Sequence, residues 1–480
     1  MSDFVGRRAY MATLAAELDR VRQTGRGRLV SMRGRRRVGK SRLVDEFLRR
    51  GARPPVPYVF FTASRQPLAR ELELFAQDVA RSGLPAAAAM RGGGATFESW
   101  DGAMTFLATA AGGTPQVIVI DEFPYLVEQD FSLEATLQKV WDRYLREAPV
   151  LLVLIGSDIS MMSALTEYDR PLYGRPTLEM VVEPFGPQET TEMLHLPAAD
   201  AIDAQLVLGG FPQITQEWRP GTGMWDFLDE QLSNPTSPLI VGGERILSAE
   251  FPEEVRARQV LATIGSGERT FTAIQRRAGI HETTLQRALA VLVGQKRVVS
   301  AERPLSSRAS RETHYAVADP YLRFWLRFVG PNMAEIERGR GDLVVARIRE
   351  DWSTYRGRAV EPLVRESIFR MLPDERFGDA QYVGGYWTRK GDVEVDLVGA
   401  EKKARPRRVA FVGSIKWRER TPFGGRDLGR IAAQRDEVPG TDEDTVLVGV
   451  SREGFDEQGR GIDVALGPED LLEAWREVKP

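Results

Sequence analysis

The 480-residue chain contains no cysteine. Disulfides and thiolate metal centres are thereby excluded, and the composition suits a reducing compartment. Long apolar runs are missing too. None approaches the ~20 residues of a membrane-spanning helix, and the longest, around Val150 to Ile155, is the size of a buried strand. The opening Met1-Ser2-Asp3-Phe4 lacks a basic segment followed by an apolar one, so no secretory leader is expected, no membrane partner, and a cytoplasmic location. A strong charge of one sign is absent: the net charge is −3 and the pI near 6.0, which argues against a globally basic nucleic-acid coat but leaves room for a local basic patch. Lysine is scarce, only eight of 65 basic residues, so Lys40 and Lys416 are less readily dismissed as surface filler. What is present is ordinary globular material, 42% hydrophobic and 28% charged. The length suggests roughly three domains at ~150 residues each.

The most informative stretch is Gly34-Arg35-Arg36-Arg37-Val38-Gly39-Lys40-Ser41, which fits the phosphate-loop pattern G-x-x-x-x-G-K-[ST] without a mismatch. Leu29 to Met32 before it reads as a strand. Arg42 to Leu48 after it reads as a helix with Leu43, Val44, Phe47 and Leu48 on its apolar side. Strand, glycine loop and helix let backbone N–H groups and the positive end of the helix dipole face phosphates. The expected nucleotide-binding set is Gly34, Arg35, Arg36, Arg37, Val38, Gly39, Lys40, Ser41 and Arg42. Lys40 would reach the β- and γ-phosphates and Ser41 would ligate Mg²⁺.

Val117-Ile118-Val119-Ile120-Asp121-Glu122 supplies the complement: an apolar strand ending in two acids. Asp121 is expected beside the Mg²⁺ held by Ser41, and Glu122 is expected to polarise the attacking water. Val150 to Ile155 reads as a further buried strand, with Gly156-Ser157-Asp158 at its tip, where a polar residue can touch the γ-phosphate or the water. Before the loop, Phe4 to Arg8, including Gly6 and Arg7, leads into an amphipathic helix carrying Met11, Leu14, Leu18 and Val21. That segment either folds over the adenine or simply packs on the core. No guanine-reading Asn-Lys-x-Asp segment is evident. Pro85 to Gly94 reads as a mobile surface loop.

Ala199 to about Leu247 reads as helices broken by Gly209-Gly210, Pro220-Gly221 and Pro235. Residues 254–264, 271–278 and 281–293 read as three helices, with Gly279-Ile280 as the turn. A hairpin, Val298 to Ser300 and His314 to Val317, follows around the basic loop Arg303 to Arg311. The third helix would expose Thr283, Thr284, Gln286 and Arg287, which can hydrogen-bond bases or phosphates; a pure packing role stays open. Pro320 to Val329, aromatic at helical spacing, reads as a packing helix. Tyr355 to Met371 reads as one helix bearing Glu361. Asp392 to Val398 reads as a strand with three acids on one face, and Val409 to Trp417 as a strand that puts Ser414 and Lys416 on a common face.

Phe4 to Arg7, the Gly34 to Ser41 loop, Asp121-Glu122-Phe123, Gly156-Ser157 and Leu172-Tyr173-Gly174-Arg175 together resemble the archaeal-type ATPases of the STAND-like branch of the AAA+ superfamily. The likeness continues through Gly209-Gly210-Phe211-Pro212 and Asp319 to Trp325. It implies an α/β multidomain chain: a P-loop AAA+-like parallel-sheet core over 1–195, a helical lid over 196–248, a winged helix over 249–335 and a restriction-endonuclease-like α/β domain over 345–480. It also implies Arg175 as an arginine near the γ-phosphate and Pro212 as a lid residue that meets the nucleotide. The last domain resembles the PD-(D/E)xK nuclease core, with Glu361 as the helix acid, Asp396 as the strand acid and Lys416 as the lysine. Ser414 stands where that pattern wants an acid, which favours a degenerate domain over an active nuclease. An unrelated α/β domain stays open.

The resemblance implies ATP and Mg²⁺ as cofactors, DNA and a protein partner or second copy as partners, and a nucleotide-driven switch as the function. The alternatives are a DNA-binding regulator in which ATP binds without turnover, and a nuclease effector triggered by ATP in defence.

Overall fold

The computed structural model describes residues 4–91, 96–157, 159–251 and 254–476. By contact density the described chain forms two compact units that divide after Pro184.

The first unit is built on a five-stranded, all-parallel sheet. Its strands are β1 (Arg28–Arg33), β2 (Tyr58–Thr62), β3 (Gln116–Asp121), β4 (Val150–Gly156) and β5 (Leu178–Val181), in the order β2-β3-β4-β1-β5. Every residue of β3 and β4 is buried, as continuous apolar runs covered on both faces require. Helices Leu68–Arg81, Trp100–Ala110 and Leu133–Arg143 cover one face through Leu72, Phe75, Val79, Trp100, Leu107, Leu137 and Val140. Because the strands are parallel, their carboxyl ends lie on one edge, where ligands of open α/β sheets bind. The order sets β4 between β1 and β3, so the glycine loop, the β4 tip and the two acids are neighbours.

Two sequence expectations change here. A short helix, Ala87–Arg91, forms where a loop is expected from Pro85 on, and the rest of that stretch, 92–95, lies outside the described residues. Asp158 lies outside them as well.

The second unit starts with helices Pro187–Leu194, Ala198–Leu208, Met224–Ser233 and Pro238–Glu250. Helices Val255–Gly265, Phe271–Ala278 and Glu282–Leu289 follow, then an antiparallel hairpin of β6 (Val299–Glu302) and β7 (His314–Val317). Thr270 caps the second of these helices by accepting from Ala273 N. Tyr321, Phe324, Trp325 and Phe328 are all buried. Tyr321 Oη donates to Leu239 O at 2.8 Å and Trp325 Nε1 to Ile240 O at 2.7 Å, so the aromatic helix is a packing element.

The expected helix Tyr355 to Met371 is two helices, Gly341–Ala359 and Glu361–Met371. Pro362 has no N–H to donate to a continuing helix and suits the first turn of a new one. The chain ends in a mixed sheet of β8 (Tyr382–Trp387), β9 (Glu394–Ala400), β10 (Val409–Lys416), β11 (Val446–Ser451) and β12 (Val464–Leu466), ordered β12-β11-β10-β9-β8. Asp392 precedes β9, so two acids of the three, Glu394 and Asp396, belong to the strand. The hairpin loop is anchored to this sheet. Leu305 joins its core, Leu305 N donates to Gly385 O at 2.8 Å, and Ser307 N donates to Pro439 O at 2.9 Å.

Candidate functional site

The Gly34 to Ser41 loop leaves the carboxyl end of β1 and runs into helix Lys40–Glu46. Two glycines are sterically required. A Cβ on Gly34 would lie 2.4 Å from Val182 O, and Gly39 has φ +90°, in the region that favours glycine. Lys40 is buried and its ammonium donates to the loop's own carbonyls, Gly34 O at 2.8 Å and Arg35 O at 3.1 Å. Burial pushes Lys40 down to about 8, while the nearby Glu122 and Asp121 pull the other way. Ser41 donates to Asp121 Oδ2 at 2.6 Å, joining residues 80 apart in sequence. Burial raises the Asp121 carboxyl above its usual range, and the Ser41 hydrogen bond opposes this.

Glu122 has φ +53°, a left-handed conformation that turns the chain sharply after β3. Ser157, at the tip of β4, donates to both its carboxylate oxygens, at 2.8 and 3.2 Å. Arg36 reaches out of the loop to the Tyr125 hydroxyl, a contact no local sequence pattern announces. Ser41, Arg42 and Arg36 are exposed, so the loop's outer side is open. Arg7 is buried and donates to Val38 O at 3.1 Å; the segment with Gly6 and Arg7 therefore touches the loop. Ser41 and Asp121 give adjacent oxygen donors of the kind Mg²⁺ takes together with phosphate oxygens, and the pair fits that ion.

Arg175 requires a correction. Its guanidinium pairs with Asp142 at 2.8 Å, and Thr177, two residues on, donates to Leu29 O at the start of β1. The glycine loop leaves the other end of that strand. Six residues at ~3.3 Å put the two edges about 20 Å apart, so Arg175 cannot touch a phosphate held by its own chain.

Gly209, Gly210 and Pro212 belong to the second unit. Both glycines have positive φ, and a Cβ on Gly210 would lie 2.0 Å from Phe185 O; Pro212 opens helix Pro212–Thr215. On helix Glu282–Leu289, Thr283, Gln286 and Arg287 are exposed and Thr284 is half-buried.

The structure draws Glu361, Asp396 and Lys416 together, but not as a metal cage. Asp396 accepts from Ser414 Oγ at 3.1 Å and Ile415 N at 2.8 Å, and Lys416 donates to Ser414 Oγ at 2.6 Å. Arg365 links the helix to the strand: Nη2 donates to the Glu361 carboxylate at 3.1 Å and Nε to the Asp396 main-chain carbonyl at 2.9 Å. Among the described residues no three acids or histidines cluster as a metal site would need. The Asp396 carboxylate is taken up by Ser414 and Ile415 N and the Glu361 carboxylate by Arg365, so the donors as arranged do not fit Mg²⁺.

Residues 15–206 match the family model described as an ATPase domain predominantly from Archaea. The chain carries a P-loop ATPase domain. Residues 325–427 match a family of archaeal and bacterial proteins of unknown function. An uncharacterized protein of Methanocaldococcus jannaschii is 24% identical over 351 residues, 72% of this chain and 76% of its own length. Among solved structures, the Walker-type ATPase PABY2304 of Pyrococcus abyssi aligns at 21% identity over 68% of this chain and 96% of its own, with a TM-score of 0.46. The ORC2 protein of Aeropyrum pernix, in ADPNP–ADP complexes, aligns at 14% identity over 70% and 96%, with a TM-score of 0.44. Scores at this level are too low to carry an inference. No described helix is long and apolar enough to cross a membrane.

Proposed function

We propose that the chain is a Mg²⁺-dependent ATP-binding and hydrolysing switch of the STAND/AAA+ type, whose nucleotide state governs its C-terminal domains. The observation that carries this reading is the 2.6 Å hydrogen bond from Ser41 to Asp121, which brings the two halves of a phosphate-loop site into register. Backbone N–H groups from Gly34 to Arg42 bind the phosphates. Lys40 leaves its loop carbonyls for the β- and γ-phosphate oxygens, which restore its full charge. Ser41 and Asp121 would hold Mg²⁺, which supplies charge neutralisation at the transferred phosphoryl group. Glu122 takes a proton from the attacking water, and Ser157 fixes the carboxylate that does so. Gly6 and Arg7 border the site through Val38.

In the second unit, residues 249–335 are read as a winged helix that meets DNA through Thr283, Thr284 and Arg287. Its hairpin loop is anchored on the C-terminal sheet, which leaves the helix face as the contact surface. The C-terminal domain is read as a degenerate nuclease-like fold used for binding, because Ser414 stands where an acid is wanted and its hydroxyl, with Ile415 N, takes up the Asp396 carboxylate. A second copy or another protein remains the natural partner of a switch.

Calorimetry with Mg²⁺-ATP, together with phosphate release, tests the reading. Saturable ATP binding that vanishes in Lys40→Ala supports it; no ATP binding by the wild type removes it. Glu122→Gln separates turnover from binding: output is abolished if hydrolysis drives the switch and locked on if ATP binding does.

A further inference from the structure

A cavity of about 340 Å³ lies inside the second unit. Its walls come from the end of helix Val255–Gly265 and the turn after it, from β7, from helices Gly341–Ala359 and Glu361–Met371, and from β8 and β9. The volume falls in the range of small-molecule pockets.

Most charges that line it are already spent on each other. Arg269 forms a two-point pair with Glu394 at 2.6 and 2.8 Å, and Arg327 pairs with Asp351 at 2.6 Å. Arg365 holds Glu302 at 2.9 Å and Glu361 at 3.1 Å. Arg323 gives its N–H groups to the carbonyls of Val317 and Ala359.

Two donors are left over. Arg358 lines the cavity and is exposed, and its side chain makes no hydrogen bond or ion pair among the described residues. Trp387 is 5% exposed, and its indole N–H is a buried donor without an acceptor. A buried donor left unpaired is costly, and a ligand acceptor relieves it. Beside these donors is a flat platform: the His314 and Trp387 rings stack at 4.0 Å with 5° between their planes. Burial and Arg269 push His314 down to about 4, so its ring is neutral.

We propose that this cavity binds a small planar anion: an aromatic or heteroaromatic ring bearing one phosphate or carboxylate. The ring lies against the His314–Trp387 pair. The anionic oxygens meet the Arg358 guanidinium, which suits either group by its two-point geometry. A further acceptor on the ligand takes the Trp387 N–H. The site is independent of the phosphate loop, and it gives the C-terminal part of the molecule an input of its own.

Calorimetry on the full chain, in wild type and in Lys40→Ala, tests this with adenosine and guanosine monophosphate, benzoate and inorganic phosphate as probes. Working in Lys40→Ala separates the cavity from the nucleotide site, so this proposal can fail while the ATPase reading stands. The expected result is saturable one-to-one binding of a ring-bearing probe, retained in Lys40→Ala and weakened at least tenfold in Arg358→Ala. Trp387→Phe, which keeps a ring and removes the donor, weakens it at least threefold. A nucleotide preferred over benzoate identifies a nucleoside monophosphate as the source, and the reverse identifies an aromatic acid; either supports the proposal. It is overturned if inorganic phosphate binds as well as the ring-bearing probes, if Lys40→Ala abolishes binding, if Arg358→Ala leaves it unchanged, or if no probe binds up to millimolar concentration.

Discussion

Ser157 at the end of β4 donates to both carboxylate oxygens of Glu122 at the end of β3, at 2.8 and 3.2 Å. Two adjacent parallel strands thus aim one acid, whose backbone is already turned by a φ of +53°. If Glu122 is the base, Glu122→Gln leaves the ATP dissociation constant within a few-fold and lowers kcat about 10²–10⁴-fold, the usual worth of a positioned general base. Ser157→Ala removes one hydrogen bond worth about 1 kcal/mol and lowers kcat about five-fold. A Ser157→Ala loss that persists in full in the Glu122→Gln background would show that Ser157 acts on the phosphate rather than through Glu122. Single-turnover phosphate release distinguishes these outcomes.

Lys40 gives the site a pH signature. In the free protein its ammonium titrates near 8 because it is buried; phosphates in the loop raise that value again. Binding therefore takes up a proton wherever the free lysine is neutral. Affinity is complete below about pH 8 and declines as pH rises past it, by about tenfold between pH 7 and 9. Arginine stays charged throughout. If Lys40→Arg binds ATP, its affinity stays flat over the same range. Calorimetry at four pH values in two buffers of different ionisation enthalpy measures both the affinity and the proton uptake. A flat wild-type profile contradicts the assignment.

The parts of this site legible in the sequence are those where local pattern and chemistry coincide. The glycine loop and the apolar strand ending in Asp121-Glu122 need only a few consecutive residues each, and parallel pairing around β4 brings them together. Arg175 was legible only as a likeness, since its distance from the loop depends on which end of β1 the chain returns to. Arg365 was invisible for a similar reason. An arginine one helical turn after Glu361 reads as an ordinary surface pair until β9 brings the Asp396 carbonyl to it. The break at Val360 had a signal, Pro362, that the apolar spacing on either side masked. The pairing of the hairpin loop with the C-terminal sheet rests on Leu305, one apolar residue in a basic run.

Within the second unit, a buried carboxylate ties four segments together. Asp203 on helix Ala198–Leu208 is 5% exposed and accepts from Arg356 at 3.1 Å, Arg452 at 3.2 Å and the Trp417 indole at 2.8 Å. Removing one member of such a group strands the others without compensation, at a cost of about 3–5 kcal/mol. Asp203→Ala should therefore lower the denaturant midpoint of the second unit's transition strongly. Asp200→Ala removes the half-exposed partner of Arg452 and should cost under about 1 kcal/mol. Urea unfolding followed by tryptophan fluorescence compares the two. Similar midpoints would show that the cluster does not hold these segments.

Gly210 tests whether the double glycine before Pro212 is there for packing. Its φ of +71° strains any other residue, and a Cβ would lie 2.0 Å from Phe185 O, a backbone atom that cannot swing aside. Strain and collision together put Gly210→Ala at about 2–4 kcal/mol. Gly221 supplies the comparison: its φ is +78°, but nothing lies within 4 Å of the added carbon. Gly221→Ala carries the strain alone, about 1–2 kcal/mol. The difference between the two variants measures the collision. If Gly210→Ala is no worse than Gly221→Ala in urea unfolding, Phe185 must be free to move, and the second glycine is present for some reason other than packing.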